Sequence, residues 1–274
     1  MPKDPEFIHV ATSNDESTHN IGITSNGQAF TWGTTNLLGQ LGRRSGKKNV
    51  PNQALLVHDV TKSSGDKFPH SNFGGDVYAK RGFVGGFKDA GHSAILDTDG
   101  YLWFSGCDRW QQLGLGSSTA GATGYTWKNG ALWQETFQRN DHLRDLMIRH
   151  GRKTGDDTTV KIRDVAIGGD HTLVLSENRK DVFAFGKGRE GQLGLQAERP
   201  FVSTPVHAKG LSSKTNDIAA VCAVRHCSFT LDGNGDVLKN TGQCKMFHSD
   251  FFQQALQHCR YHSQKDGLIS KPSL

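Results

Sequence analysis

One unit recurs along this chain, and a repeat constrains the fold more tightly than composition can. Its clearest copy runs from Ile162 to Leu195. Two short β-rich runs flank a polar turn at Glu177 to Asp181, and the loop Gly191-Gln192-Leu193-Gly194 closes the second run. The histidine of Gly169-Asp170-His171-Thr172 has counterparts at His19, His92 and His226. Fourteen to sixteen residues after each histidine, a glycine ends the next strand: Gly33, Gly106, Gly186 and Gly242. Five or six residues further on, three units carry Gly39-Gln40-Leu41-Gly42, Gln111-Gln112-Leu113-Gly114 and Gly191-Gln192-Leu193-Gly194.

These positions read as architecture. Asn26-Gly27, Asp99-Gly100 and Asn234-Gly235 lie between the paired runs, where such dipeptides favour two-residue hairpins because both residues accept positive φ. Phe30 and Trp32, Trp103, and Phe183 and Phe185 alternate with smaller residues, so one strand face can fill a core. The closing loop needs glycine where the backbone turns sharply, and its leucine is placed to plug the sheet end. A histidine at the same point of every unit is expected to hydrogen-bond a neighbouring strand rather than to catalyse.

Gly-x-x-His-Thr, an Asp-Gly turn, aromatic-x-aromatic-Gly and then Gly-Gln-Leu-Gly-Leu resembles the repeat of the regulator of chromosome condensation family, most completely over 162–195. The resemblance implies an all-β fold, a β-propeller of four-stranded blades. It covers repeats at about 6–42, 83–116, 160–206 and 218–238, so about four blades and an incomplete propeller are expected. Segments 43–80 and 117–159 read as insertions within a repeat domain over 6–245, and 246–274 as a helical or disordered tail. Within the first insertion, Ala54-Leu55-Leu56-Val57 is the best outer strand. Within the second, Gly130–His150 carries apolar residues at spacings of three and four, so an amphipathic helix is expected over part of it, capped at Gly151. After Asn234-Gly235 the fourth unit loses the pattern: Leu238 to Gly242 has no aromatic pair. Phe251, Phe252, Ala255 and Leu256 then suggest a helix.

The family's propeller closes with seven blades, and four would leave two end faces in water. Three outcomes follow: self-association through the open ends, docking of a partner that covers them, or a shortened product whose tail replaces the missing blades.

The remaining bounds are broad. Thirty-three glycines suit a turn-dense β chain, and a net charge of +5 permits acidic partners without demanding them. Five cysteines argue against a disulfide framework and for a reducing compartment. Neither a signal peptide nor a membrane-length apolar run is present, so a cytoplasmic or nuclear protein is expected. Cys222, Cys227, Cys244, His248, His258, Cys259 and His262 gather near the end without the paired spacing of a zinc knuckle, and no P-loop or nucleophile elbow occurs. No cofactor or metal is expected.

Function must come from the surface, because propellers host many activities. The second unit's loop reads Cys107-Asp108-Arg109-Trp110-Gln111-Gln112, with glutamine where the family has glycine. Arg109 and Trp110 have the composition of an interaction hot spot, while the alternative folds Trp110 over the blade edge. Arg43, Arg44, Lys47, Lys48, Arg152 and Lys153 are candidates for phosphate contact, or else solvated charges. The expected function is a non-catalytic protein-interaction scaffold. The alternative implied by the resemblance is guanine nucleotide exchange on a Ran-type small GTPase, with chromatin association. A light-sensing relative built on Gly-Trp-Arg-His-Thr does not fit, because Ser17, Ala90, Gly169 and Val224 stand two before the histidines.

Overall fold

The computed structural model describes residues 6–12, 19–34, 36–42, 55–56, 78–87, 90–116, 125–128, 131–196, 199–242 and 250–270. The described strands form four antiparallel sheets, two in each of two compact units. The first unit comprises 1–109 and 117–141, and the second 110–116 and 142–274.

In the first unit, β1 (Phe7–Thr12), β2 (His19–Thr24), β3 (Ala29–Gly33) and β4 (Leu55–Leu56) pair in that order, so the outer strand falls where the Leu55-Leu56 run predicts it. The second sheet contains β5 (Ala79–Phe87), β6 (Ala90–Asp97), β7 (Leu102–Cys107), β8 (Tyr125–Lys128) and β9 (Ala131–Arg139), in the order β5-β6-β7-β9-β8. Ile21, Ile23, Ala29, Ala79, Ile95 and Phe137 form the buried cluster of this unit.

The second unit begins with α1 (Asp141–Thr154), of which His142 onward belongs to it, and a short 3-10 turn at Asp157–Val160. Then come β10 (Ile162–Ile167), β11 (His171–Ser176), β12 (Val182–Lys187) and β13 (Phe201–His207), paired in sequence. A three-stranded sheet follows, from β14 (Ala220–Val224), β15 (Cys227–Leu231) and β16 (Val237–Gly242). The helix α2 (Asp250–Lys265) ends the described secondary structure. Leu256 and Cys259 of α2, with Ile269 beyond it, pack on Ala219, Ala220, Cys222, Phe229 and Leu231, so this helix covers the face of the last sheet.

The helix expected over part of Gly130–His150 is α1, which starts at Asp141, while residues 131–139 fold as a strand because Leu132, Trp133 and Phe137 are buried on the second sheet. Other expectations are corrected in detail. Gly151 is buried inside that helix, and the chain turns at Gly155 with φ of 70°. In the hairpins only the glycines take positive φ, at Gly27, Gly100 and Gly235 (76°, 83° and 83°), each donating its N–H back three residues. That is a type I turn ending in a left-handed residue rather than a two-residue hairpin. In the third sheet Arg179 fills the left-handed position at φ 60°, and the loop is one residue longer: Ser176 N–H donates to the carbonyl of Asp181, whereas Thr24 N–H donates to that of Gln28.

Register also reassigns one histidine. His19, His92 and His171 pair with Gly33, Gly106 and Gly186, but Gly242 pairs with Cys227, so His226 stands one residue outside the repeated position. The polar run 238–242 is nevertheless a strand, since backbone pairing with β15 needs no aromatic side chains. The cysteine expectation needs one amendment. Cys107, Cys222 and Cys259 carry free thiols, but Cys227 is disulfide-bonded.

Candidate interaction site

The repeated loop fixes the geometry from which any surface site must project. Its glutamine folds back so that Oε1 accepts the N–H two residues earlier, at Leu38, Trp110 and Glu190 (3.1, 2.9 and 3.0 Å). The same glutamine's carbonyl accepts a hydroxyl from the next sheet: Ser93 to Gln40, Thr172 to Gln112 and Ser228 to Gln192 (2.7, 2.8 and 2.7 Å). Since Ser93 and Ser228 donate to these carbonyls, their oxygens accept from the rings of His19 and His171, both at 2.8 Å, which places those ring protons on Nε2. Both rings are fully buried. Burial lowers His19 to about 4, against a smaller raising contribution from a backbone hydrogen bond at His92. Burial, then the charge of His226, lowers His171 to about 3. These histidines are neutral struts, as their recurrence suggests.

The leucine beside each glutamine is buried: Leu41, Leu113 and Leu193 are at most 1% exposed. With glutamine and leucine both turned inward, the residues before them form the outer rim. In the second unit that rim carries Trp110, which is half-buried with two cations over its ring. Lys187 Nζ lies 5.4 Å and the Arg189 guanidinium 6.0 Å from the ring centroid. Lys187 also pairs with Glu190 at 2.9 Å. Burial tends to raise the Glu190 carboxyl, but hydrogen bonds from Lys187 and Gln192 hold it below its ordinary value. Arg189 and Arg225 are exposed. His226 is lowered by burial and then by Lys187, against the raising charges of Glu190 and Asp170, with Arg225 adding to the lowering, so cations and acids meet where β12, its following loop and the β14–β15 turn come together. Such a surface, an aromatic face rimmed by guanidinium groups, can take an acidic segment or a phosphate-bearing one.

Sequence reasoning named Trp110 as a candidate but did not name Lys187, Arg189 and Arg225, which belong to the next two repeats. Arg109 is exposed and belongs to the first unit. Arg152 and Lys153 are exposed in the last turn of α1, where cations complement the helix dipole. Arg43, Arg44, Lys47 and Lys48 lie outside the described residues.

A different cluster in the second unit could hold a metal. His150 of α1, Asp181 before β12 and His207 at the end of β13 bring their ligand atoms within 4.8 Å of one another. Both His150 Nε2 and His207 Nε2 approach Asp181 Oδ1, at 3.1 and 2.8 Å. Burial tends to raise Asp181, but hydrogen bonds from His207 and Asn178 and the charge of His150 bring it to about 2. One signal for this cluster was readable: His150 stands seven residues after Leu143 and three after Met147, on the buried stripe of its helix, while Arg149, Arg152 and Lys153 fall off it.

Two models described as the regulator of chromosome condensation (RCC1) repeat match this chain, at residues 162–192 and 181–231. Among curated proteins, the RCC2 homolog of Xenopus laevis is 26% identical over 242 residues, covering 84% of this chain and 39% of the relative. Protein RCC2 of Homo sapiens is 27% identical over 230 residues, covering 79% and 37%. The chain thus spans less than half the length of these relatives. Among solved structures, Prp20p from Saccharomyces cerevisiae, whose report concerns its binding to Gsp1p and histones, has a TM-score of 0.58 at 16% identity, covering 95% of this chain and 47% of that one. Human WBSCR16 has a TM-score of 0.54 at 17% identity, covering 86% and 47%. At these identities the likeness establishes the fold, propeller blades, and nothing further.

Proposed function

We propose that this chain is a member of the regulator of chromosome condensation repeat family, whose models match it at residues 162–192 and 181–231, and that it is a non-catalytic interaction scaffold whose docking surface centres on Trp110. The observation that carries the reading is the stacking of Lys187 and Arg189 over the Trp110 ring, with Arg225 and His226 close by. Aromatic and arginine anchors are the groups that dominate interface energetics. Glu190 pairs with Lys187, and the exposed Arg189 and Arg225 border the same face, so the partner should be acidic at the contact.

Two partners are proposed on the precedent of relatives: chromatin and a small GTPase of the Ran type. Nucleotide exchange on such a GTPase is the competing reading, supported by the precedent of Prp20p and its binding to Gsp1p. No residue of this chain corresponds to an identified exchange group, and a scaffold requires none. The purified chain, incubated with mononucleosomes and separately with a Ran-type GTPase carrying fluorescent GDP, distinguishes the readings. The scaffold predicts stable retention of one partner, weakened at least about tenfold by Trp110→Ala or Arg189→Glu, with nucleotide release unchanged. Accelerated release would overturn the non-catalytic reading, and retention of neither partner would overturn the proposed partners.

A further inference from the structure

His150, Asp181 and His207 come from a helix, a turn and a strand end that are distant in sequence, yet they converge on one point of the second unit. Asn178 Nδ2 donates to Asp181 Oδ2 at 2.7 Å, which holds one carboxylate oxygen and turns the other, Oδ1, toward both rings. The rings lie 4.4 Å apart at 34°. Beneath them is the fully buried Phe183, whose ring is 5.7 Å from each and nearly perpendicular to that of His150. Ser212 Oγ stands 3.0 Å from His207 Nε2. The three ligand side chains are 20%, 13% and 22% exposed, so the point is sheltered but open to a small solute.

We propose that these three residues form a binding site for a first-row divalent ion of the zinc type, clamping α1 to the β12–β13 edge of the third sheet. Ligand atoms about 2.0–2.1 Å from a tetrahedral zinc lie about 3.4 Å from one another, so the observed separations of 2.8 and 3.1 Å need only a small outward movement. Two imidazoles and a carboxylate suit zinc and its neighbours rather than calcium or magnesium, which prefer an all-oxygen shell. The fourth position falls to a water, since Ser212 Oγ is held by Val182 N–H and the Ala208 carbonyl. Asn178 is the outer partner that fixes a ligating carboxylate. Without an ion, both imidazole nitrogens share a single carboxylate oxygen. An ion gives each ligand atom its own bond.

The test uses the whole chain, stripped with chelator and titrated with Zn2+ alone and with Co2+ alone. The expected result is one tight equivalent of zinc that raises the thermal midpoint, and cobalt absorption with the intensity of four-coordination. His150→Gln and His207→Gln should each weaken zinc binding at least tenfold, and Asn178→Ala about tenfold. A variant lacking His258 and His262 should bind as the parent does, which separates this site from the histidines of α2. Circular dichroism of the metal-free variants shows whether they fold. Should a glutamine variant not fold, the isosteric Asp181→Asn and the parent's cobalt spectrum decide. Absence of stoichiometric zinc, a six-coordinate cobalt spectrum, or unchanged affinity in folded His150 and His207 variants would each overturn the site.

Discussion

Burial of a neutral imidazole makes stability depend on acidity in a defined direction. His19 and His171 titrate near 4 and 3 in the folded protein, against about 6.5 in an unfolded chain. Their stabilising contribution is therefore complete above about pH 6.5 and declines as the pH falls toward 4, because only the unfolded chain takes up the protons. With two such groups the slope is about 2.7 kcal/mol per pH unit across that window. Urea midpoints measured between pH 7 and pH 4.5 should follow it, and His171→Gln should remove about half the slope; an unchanged slope would mean that the ring is not a buried strut. His226, also lowered by burial, adds to the slope within this window, and Asp181 and Glu190, whose carboxyls are held low, add with the same sign at its acid end. Gln111 tests a different strain. It takes φ of 63° where Gly39 and Gly191 take 75° and 81°, and a left-handed residue with a side chain costs about 1–2 kcal/mol. Part of that returns as lost chain entropy on changing to glycine, so Gln111→Gly should stabilise by about 0.5–1 kcal/mol in denaturant unfolding. The departure from glycine was legible in the sequence. That Cys227, not His226, fills the last repeated position was not, because spacings of fifteen and sixteen residues both fit the pattern and only the pairing with Gly242 decides.

Among the elements, α2 carries the strongest consequence. Its Leu256 and Cys259 are buried against Ala219, Cys222 and Phe229, so the last sheet's outward face is covered by this chain's own helix. Leu256→Asp should cost about 3 kcal/mol or more by placing a carboxylate in that apolar seam. A chain ending at residue 249 should self-associate, which sedimentation velocity reads directly; a truncated chain that stays monomeric and equally stable would show that the helix shields nothing. The helix could be read from Phe251 to Leu256, yet what it covers could not, since periodicity names a buried stripe but not its neighbour. The helix expected over part of Gly130–His150 occupies its later part, and the strand at Ala131–Arg139 escaped notice for the same reason. Leu132, Trp133 and Phe137 satisfy a helical spacing of apolar residues, and Asn140 followed by Asp141 marks where the helical signal truly begins.

For the molecule as a whole, charge sets how any partner engages. A net charge of +5 is modest, and the cations bordering Trp110 are partly neutralised by Glu190. If chromatin is the partner and Arg189 and Arg225 each meet a phosphate, the logarithm of affinity should fall with the logarithm of salt at a slope near about −2. Arg189→Glu should flatten that slope by about one, whereas changing Arg152 and Lys153 should leave it alone if they merely complete the end of α1. A flat salt dependence would direct attention to a protein partner held by the Trp110 face. Three of the four sheets were legible because the glycines, glutamines and leucines of the closing loop cannot serve elsewhere in a sheet. The candidate surface around Trp110 was not, since it is assembled from Trp110 of one repeat, Lys187 and Arg189 of the next and Arg225 of the last, and no stretch of sequence contains it.

The hydroxyl that each later sheet extends to the loop before it, from Ser93, Thr172 and Ser228, has a genealogical implication. Each of the last three modules supplies the bond its predecessor lacks, and each of the first three leaves one for its successor to supply. A gene that gains or loses whole modules preserves this chain of debts whichever copy is involved, while a crossover between a glutamine and its recipient serine keeps it only if the joined halves come from equivalent places.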